Sequence, residues 1–132
     1  MRRRSRSRGA VQVEFALTLM ITLFTIFWTW EMAMAVYTYT VLADAANEGV
    51  RYAIVHSGDQ TGTVSKVNDY ARLSLHDTSG ITVAVGYPDG GTTSAPPPSR
   101  VTVTVTYTYI PYVNFMPNTL VLRTYAEGRI VY

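Results

Sequence analysis

The sequence predicts an α+β protein: a long N-terminal helix, transmembrane in its lower half and amphipathic in its upper half, then a short second helix and a small C-terminal antiparallel sheet of about three strands. Three observations predict it. Residues 10–36 are predominantly apolar and carry only two charges, Glu14 and Glu31. Residues 39–54 then repeat apolar positions at steps of three and four. Finally, "RVTVTVTYTYI" (100–110) alternates strictly between two residue types, as a strand with one buried face does.

The first element starts behind a basic tag. Arg2, Arg3, Arg4, Arg6 and Arg8 supply five of the eleven basic residues; beyond residue 9 there remain six basic and nine acidic side chains, a net −3. The formal +2 of the whole chain is therefore a property of its N-terminus. Such a tag suits nucleic-acid phosphates, but followed directly by an apolar run it reads as the positive flank of a membrane segment, so no nucleic-acid partner is expected. Charged residues are only 15% of the chain, low against the roughly 25% usual in soluble domains. Phe15 to Trp30 carries no charge. With its apolar flanks this run exceeds the ~20 residues that span a bilayer, and Trp28, Trp30 and Tyr37 gather at its far end as interfacial aromatics do. A cleaved secretory signal is the competing reading, and it predicts a new N-terminus near residues 36–44. Glu31, beside the two tryptophans, reads as a solvated interfacial carboxylate.

The helix is expected to continue upward. Leu42, Ala43, Ala46, Val50, Ala53 and Ile54 form a stripe, with Asp44, Asn47, Glu48 and Arg51 opposite. Its predicted end is His56, where "HSGDQTG" brings two glycines. A helix from Ala10 to His56 would be roughly 70 Å long, so its upper half must lie against a soluble body. Thr63 is the predicted cap of the second helix, with Val64, Val67, Ala71 and Leu75 as its stripe. Strands are expected at 81–85, 100–110 and 119–132, the first two separated by the Gly/Pro-rich loop "GYPDGGTTSAPPPS" (86–99).

Glu48, Gly49 and Arg51 are candidate contact residues. Gly49 would allow close approach to a neighbouring element; otherwise it is a tolerated glycine costing ~1 kcal/mol. No histidine or carboxylate set stands at ligand spacing, so no metal or cofactor is assigned. The chain contains no cysteine, and no HExxH, Gly-x-Ser-x-Gly or P-loop pattern. "SLHDTSG" (74–80) places Ser, His and Asp in a row, which is not how a catalytic triad converges. No catalytic residue and no enzyme activity are expected.

The arrangement of basic leader, Gly9, Glu14 and unbroken apolar helix resembles a type IV prepilin. The closer resemblance is to TadE-like proteins, minor pilins or pseudopilins of Tad/Flp pili. "RGAVQVEFAL" (8–17) looks like their start. "LADAANEGVRYA" (42–53) resembles their helix signature, with Ala45, Ala46, Glu48, Gly49 and Arg51 in matching places. The chain departs from the family in having Thr18 to Met20 where a proline is common, and Asn47 where arginine is common.

The resemblance implies a pilin-like fold, with residues 1–9 as a leader, 10–37 as a transmembrane helix and 38–132 as an extracytoplasmic head. It implies cleavage between Gly9 and Ala10 by a prepilin peptidase, and an assembly role for Glu14, the fifth residue of the cleaved chain. The implied partners are the bacterial inner membrane, the peptidase, other minor and major pilins and the assembly platform. The N-terminus would be cytoplasmic and the head periplasmic or extracellular. A membrane-anchored binding module with an uncleaved N-terminus is the alternative.

Overall fold

The computed structural model describes residues 5–89, 100–113 and 119–130. Five elements follow in order: α1 (Ser5–Val55), α2 (Gln60–Ser74), β1 (Ile81–Gly86), β2 (Arg100–Tyr109) and β3 (Leu120–Arg129). The α+β class, the two helices and the three antiparallel strands are those the sequence predicts. Residues 1–4 of the basic tag and residues 90–99 of the Gly/Pro-rich loop lie outside the described residues. The chain separates into two units, Met1–Met34 and Ala35–Tyr132.

The first unit is the lower part of α1. Val13, Phe15, Leu17, Met20, Leu23, Phe24 and Ile26 are all exposed. A helix apolar on every side is stable only where its surroundings are apolar, and this one is long and apolar enough to cross a membrane. Four of its threonine hydroxyls are satisfied within the helix. The hydroxyls of Thr18, Thr22, Thr25 and Thr29 donate to the carbonyls of Glu14, Thr18, Ile21 and Thr25 at 2.8–2.9 Å. Each threonine thus presents a methyl outward and hides its hydroxyl against the backbone. No proline interrupts the helix, and none of its glycines bends it into a break.

The second unit has a single core. Leu42, Ala45, Ala46, Val50 and Ala53 of α1 are buried with Val67 and Ala71 of α2, Val101, Val103 and Val105 of β2, Ala126 of β3, and Ile130. Sheet order is β1-β2-β3, antiparallel throughout. The alternation in β2 sorts as its pattern requires: Val101, Val103 and Val105 are fully buried, while Thr102, Thr104 and Thr106 lie on the other face. Val103 faces Val85 on one side and Ala126 on the other, so inward pairs run across all three strands.

Two local expectations need correction. The cap of α2 is Asp59, not Thr63. The Asp59 carboxylate accepts from the Gly62 N–H at 2.8 Å, which satisfies a donor that the first turn leaves open. Thr63 is one turn later and buried, its hydroxyl donating back to the Asp59 carbonyl at 2.8 Å. Gly58 makes this start possible, because its φ of +93° lies in the left-handed region, where L side chains are strained. The second correction is Glu31, which is 7% exposed rather than solvated. Along α1 it stands four residues before Ala35, with Thr38 and Leu42 at further steps of three and four, and all of these are buried. Helical phase carries Glu31 onto the buried stripe.

Candidate functional site

At the N-terminal end of α1, Gly9 and Ala10 are helical and exposed. A Cβ built on Gly9 would meet no atom within 4 Å, so the backbone at this bond is open on that side. Since the bond lies within the helix, any enzyme needing an extended strand there must first unwind a turn. Helix ends open locally at small cost.

Glu14 follows one turn above Ala10, and residues four apart share a helix face. Its side chain is exposed and, among the described residues, has no hydrogen-bond or ion-pair partner. Its backbone carbonyl is occupied by Thr18. In hydrocarbon an isolated carboxylate costs several kcal/mol, so this position favours a cationic neighbour wherever the surroundings are dry.

The second candidate group divides in two. Glu48 and Arg51 pair at 3.7 Å on the outside of α1, with side chains 43% and 79% exposed. A pair so open to water contributes a few tenths of a kcal/mol at most. Gly49 points the other way and is buried. A Cβ there would overlap Val67 of α2 and stand 3.4 Å from Val103 of β2. The missing side chain is therefore the space into which two other elements pack. Glu48 and Arg51 instead line a cleft of about 480 Å³ with Asp44, Asn47, Tyr70 and Glu127.

A second close approach was not anticipated from the sequence. Gly128 of β3 receives Val50 and Ile54 of α1, and a Cβ there would overlap both. Helix α1 thus gives space at Gly49 and takes it at Gly128. A glycine inside the strand pattern "LRTYAEGRIVY" was the available signal, since strand glycines often mark close backbone approach.

The turn between α1 and α2 is fastened by polar side chains. The Tyr52 hydroxyl donates to the Asp59 carboxylate at 3.0 Å, and the Gly58 N–H donates to the Tyr87 hydroxyl at 3.1 Å. His56 stacks on Tyr52 with ring centroids 4.2 Å apart. The Gly62 N–H and then the Tyr52 hydroxyl hold the Asp59 carboxyl below its ordinary range, and the same bond raises Tyr52. At the ends of β2 and β3, Arg100 makes a two-pronged contact with Asp89 at 2.8–3.2 Å and reaches Glu127 at 3.2 Å. These two carboxylates raise the Arg100 guanidinium.

Among the described residues no three His, Asp or Glu side chains converge as a metal site would require. The polar groups of the second unit therefore read as fastenings of the fold. In the first unit, the Glu14 carboxylate has no such fastening among the described residues.

The family model described as TadE-like protein matches residues 9–51, about a third of the chain. The match starts at Gly9, includes Glu14 and ends at Arg51, after the Glu48–Gly49 pair. No curated protein and no solved structure matches the chain.

Proposed function

From the match of residues 9–51 to the TadE-like family, we propose that this chain is a minor pilin or pseudopilin that takes part in assembly of a Tad-type (Flp) type IV pilus. In this reading residues 1–9 are a leader, 10–37 cross the bacterial inner membrane once, and 38–132 form the extracytoplasmic head. The arginine tag favours a cytoplasmic N-terminus through the positive-inside bias. A prepilin peptidase cuts after Gly9, where the glycine leaves the backbone unobstructed. The other pilins and the assembly platform are its partners, and it performs no catalysis.

The observation that carries this reading is the lone, exposed carboxylate of Glu14 one turn from Ala10. Cleavage would create an ammonium at Ala10. That charge sits at a helix N-terminus, where the macrodipole already disfavours a cation, and in apolar surroundings it gains strongly from a carboxylate. Glu14 of one subunit and the amine of its neighbour are then complementary, and the pair sets the step between subunits. No proline occurs within α1 (Ser5–Val55), so the usual cause of a helix kink is missing from it.

The test is Glu14→Ala. The substitution leaves an uncharged run better suited to lipid, so membrane insertion persists. Incorporation of the chain into sheared pili, measured by immunoblot, is expected to be lost. Wild-type incorporation of Glu14→Ala would overturn the assembly role. The anchored-module reading instead predicts no effect of Glu14→Ala and retention of residues 1–9.

A further inference from the structure

Among the described residues, strand β3 ends the sheet with one side unpaired. Its ten residues pair with β2 from Tyr109↔Leu120 to Arg100↔Arg129 without a bulge, and among the described residues β2 is its only strand neighbour. The opposite edge is different: β1 has six residues, and α2 packs along it. A long, bulge-free edge is a template for another strand, and proteins usually guard such edges. The outward residues of β3 are Val121, Arg123, Tyr125, Glu127 and Arg129, all exposed.

We propose that β3 is where two copies of this chain pair, antiparallel and edge to edge, about a two-fold axis at Tyr125. The order of side chains argues for a second copy as the occupant. Antiparallel pairing centred on Tyr125 sets Tyr125 against Tyr125, Arg123 against Glu127, and Glu127 against Arg123. Residues directly opposite share a face, so two ion pairs flank a tyrosine contact at the axis. Arg123 has no partner of its own among the described residues, and Glu127, met only by Arg100 at 3.2 Å, keeps its second carboxylate oxygen free. On the inward face Thr124 meets Ala126, two small side chains that fit side by side. A two-fold interface must be complementary to itself, and the sequence "RTYAE" (123–127) is.

The symmetry has a geometric consequence. A two-fold axis normal to the sheet reverses every direction in its plane. The part of α1 from Leu42 to Ala53, which lies across the sheet face, is reversed with it. The pairing stands apart from the leader and Glu14, so its test and theirs fail separately.

The chain has no cysteine, which permits a direct test on the full chain in detergent. Tyr125→Cys places a thiol on the axis. Opposed strand residues have Cα atoms ~4.5–5.5 Å apart, within the range of a disulfide. Val121→Cys is a control on the same strand and face, the native residues being 59% exposed at Val121 and 72% at Tyr125. Its two copies would be about 26 Å apart along paired strands, at ~3.3 Å per residue. Under mild oxidation Tyr125→Cys is expected to give about tenfold more disulfide dimer than Val121→Cys, because only one geometry permits the bond.

A second arm keeps Tyr125 and reads association by energy transfer between labelled chains. Arg123→Glu alone and Glu127→Lys alone each oppose like charges twice and lose self-association. Mixing the two variants restores two opposite-charge pairs, and association returns. Equal dimer yields from the two cysteine variants, undiminished self-association of Arg123→Glu, or no recovery on mixing would overturn the proposal.

Discussion

Replacing Gly49 by alanine sets two effects of opposite sign against each other. In the interior of a helix, alanine is favoured over glycine by about 1 kcal/mol. Against this, the new methyl would overlap the Val67 side chain and stand 3.4 Å from Val103 and 3.7 Å from Thr63. Val67, Val103 and Thr63 are all fully buried, and valine has little χ1 freedom to step aside. Overpacking of this kind costs about 1–3 kcal/mol, and so direct an overlap belongs at the upper end. The net is a destabilisation of about 2 kcal/mol, or roughly 8–16 °C in Tm for a head of this size. Thermal unfolding of the full chain in detergent, followed by near-ultraviolet circular dichroism of the head tyrosines, measures it. Gly9→Ala is the control, since nothing lies within 4 Å of its new methyl, and its Tm should not fall. In the Gly49→Ala background, Val67→Ala should cost less than it does alone, because it removes the overlapping group. A rise in Tm for Gly49→Ala, or equal costs of Val67→Ala in both backgrounds, would refute the packing argument.

The Asp59 fastening predicts a pH dependence. A carboxyl held below its ordinary 3.8 contributes stability that is complete above that value and is lost as pH falls through the lowered pKa. The partner Tyr52, raised above 10.0, contributes stability that is complete below 10.0 and lost as pH rises through the raised value. Asp59→Asn retains a capping oxygen and should flatten the acid limb of a Tm-against-pH curve, whereas Asp59→Ala should lower Tm at neutral pH as well. In the apolar half of α1, Thr25→Val removes a hydroxyl that is already satisfied by the Ile21 carbonyl at 2.9 Å. Membrane-fraction yield and helix content by far-ultraviolet circular dichroism should match the wild type; a lower helix content would show that the hydroxyl serves something outside its own helix.

The extent to which the sequence reveals this molecule follows the range of the interactions. Period-3.6 and period-2 patterns depend on neighbours within one element, so α1, α2 and the three strands were legible, with ends within a few residues. The start of α2 was misplaced because both Asp59 and Thr63 are capping residue types. The choice between them falls to Gly58, whose positive φ turns the chain one residue earlier. Glu31 was misread because interfacial aromatics next to a carboxylate suggest water, whereas helical phase relative to Ala35, Thr38 and Leu42 decides its burial. Gly128 and the Arg100 contacts with Asp89 and Glu127 join residues 11 and 27 positions apart, or lie on different elements altogether. Such contacts leave no periodic trace. At the N-terminal junction the position was different. Gly9, Ala10 and Glu14 were named from spacing and family resemblance, and they remain a site defined by what is still to be made there, an amine at Ala10.

That amine is the most direct test of the functional account. Intact-mass and N-terminal peptide mass spectrometry of the chain, extracted from membranes of cells that contain a prepilin peptidase, reads it in one measurement. The account predicts a chain that begins at Ala10, and the full-length chain when the peptidase is deleted. A chain that still begins at residue 1 or 2 with the peptidase present, or one that begins between residues 36 and 44, would contradict it.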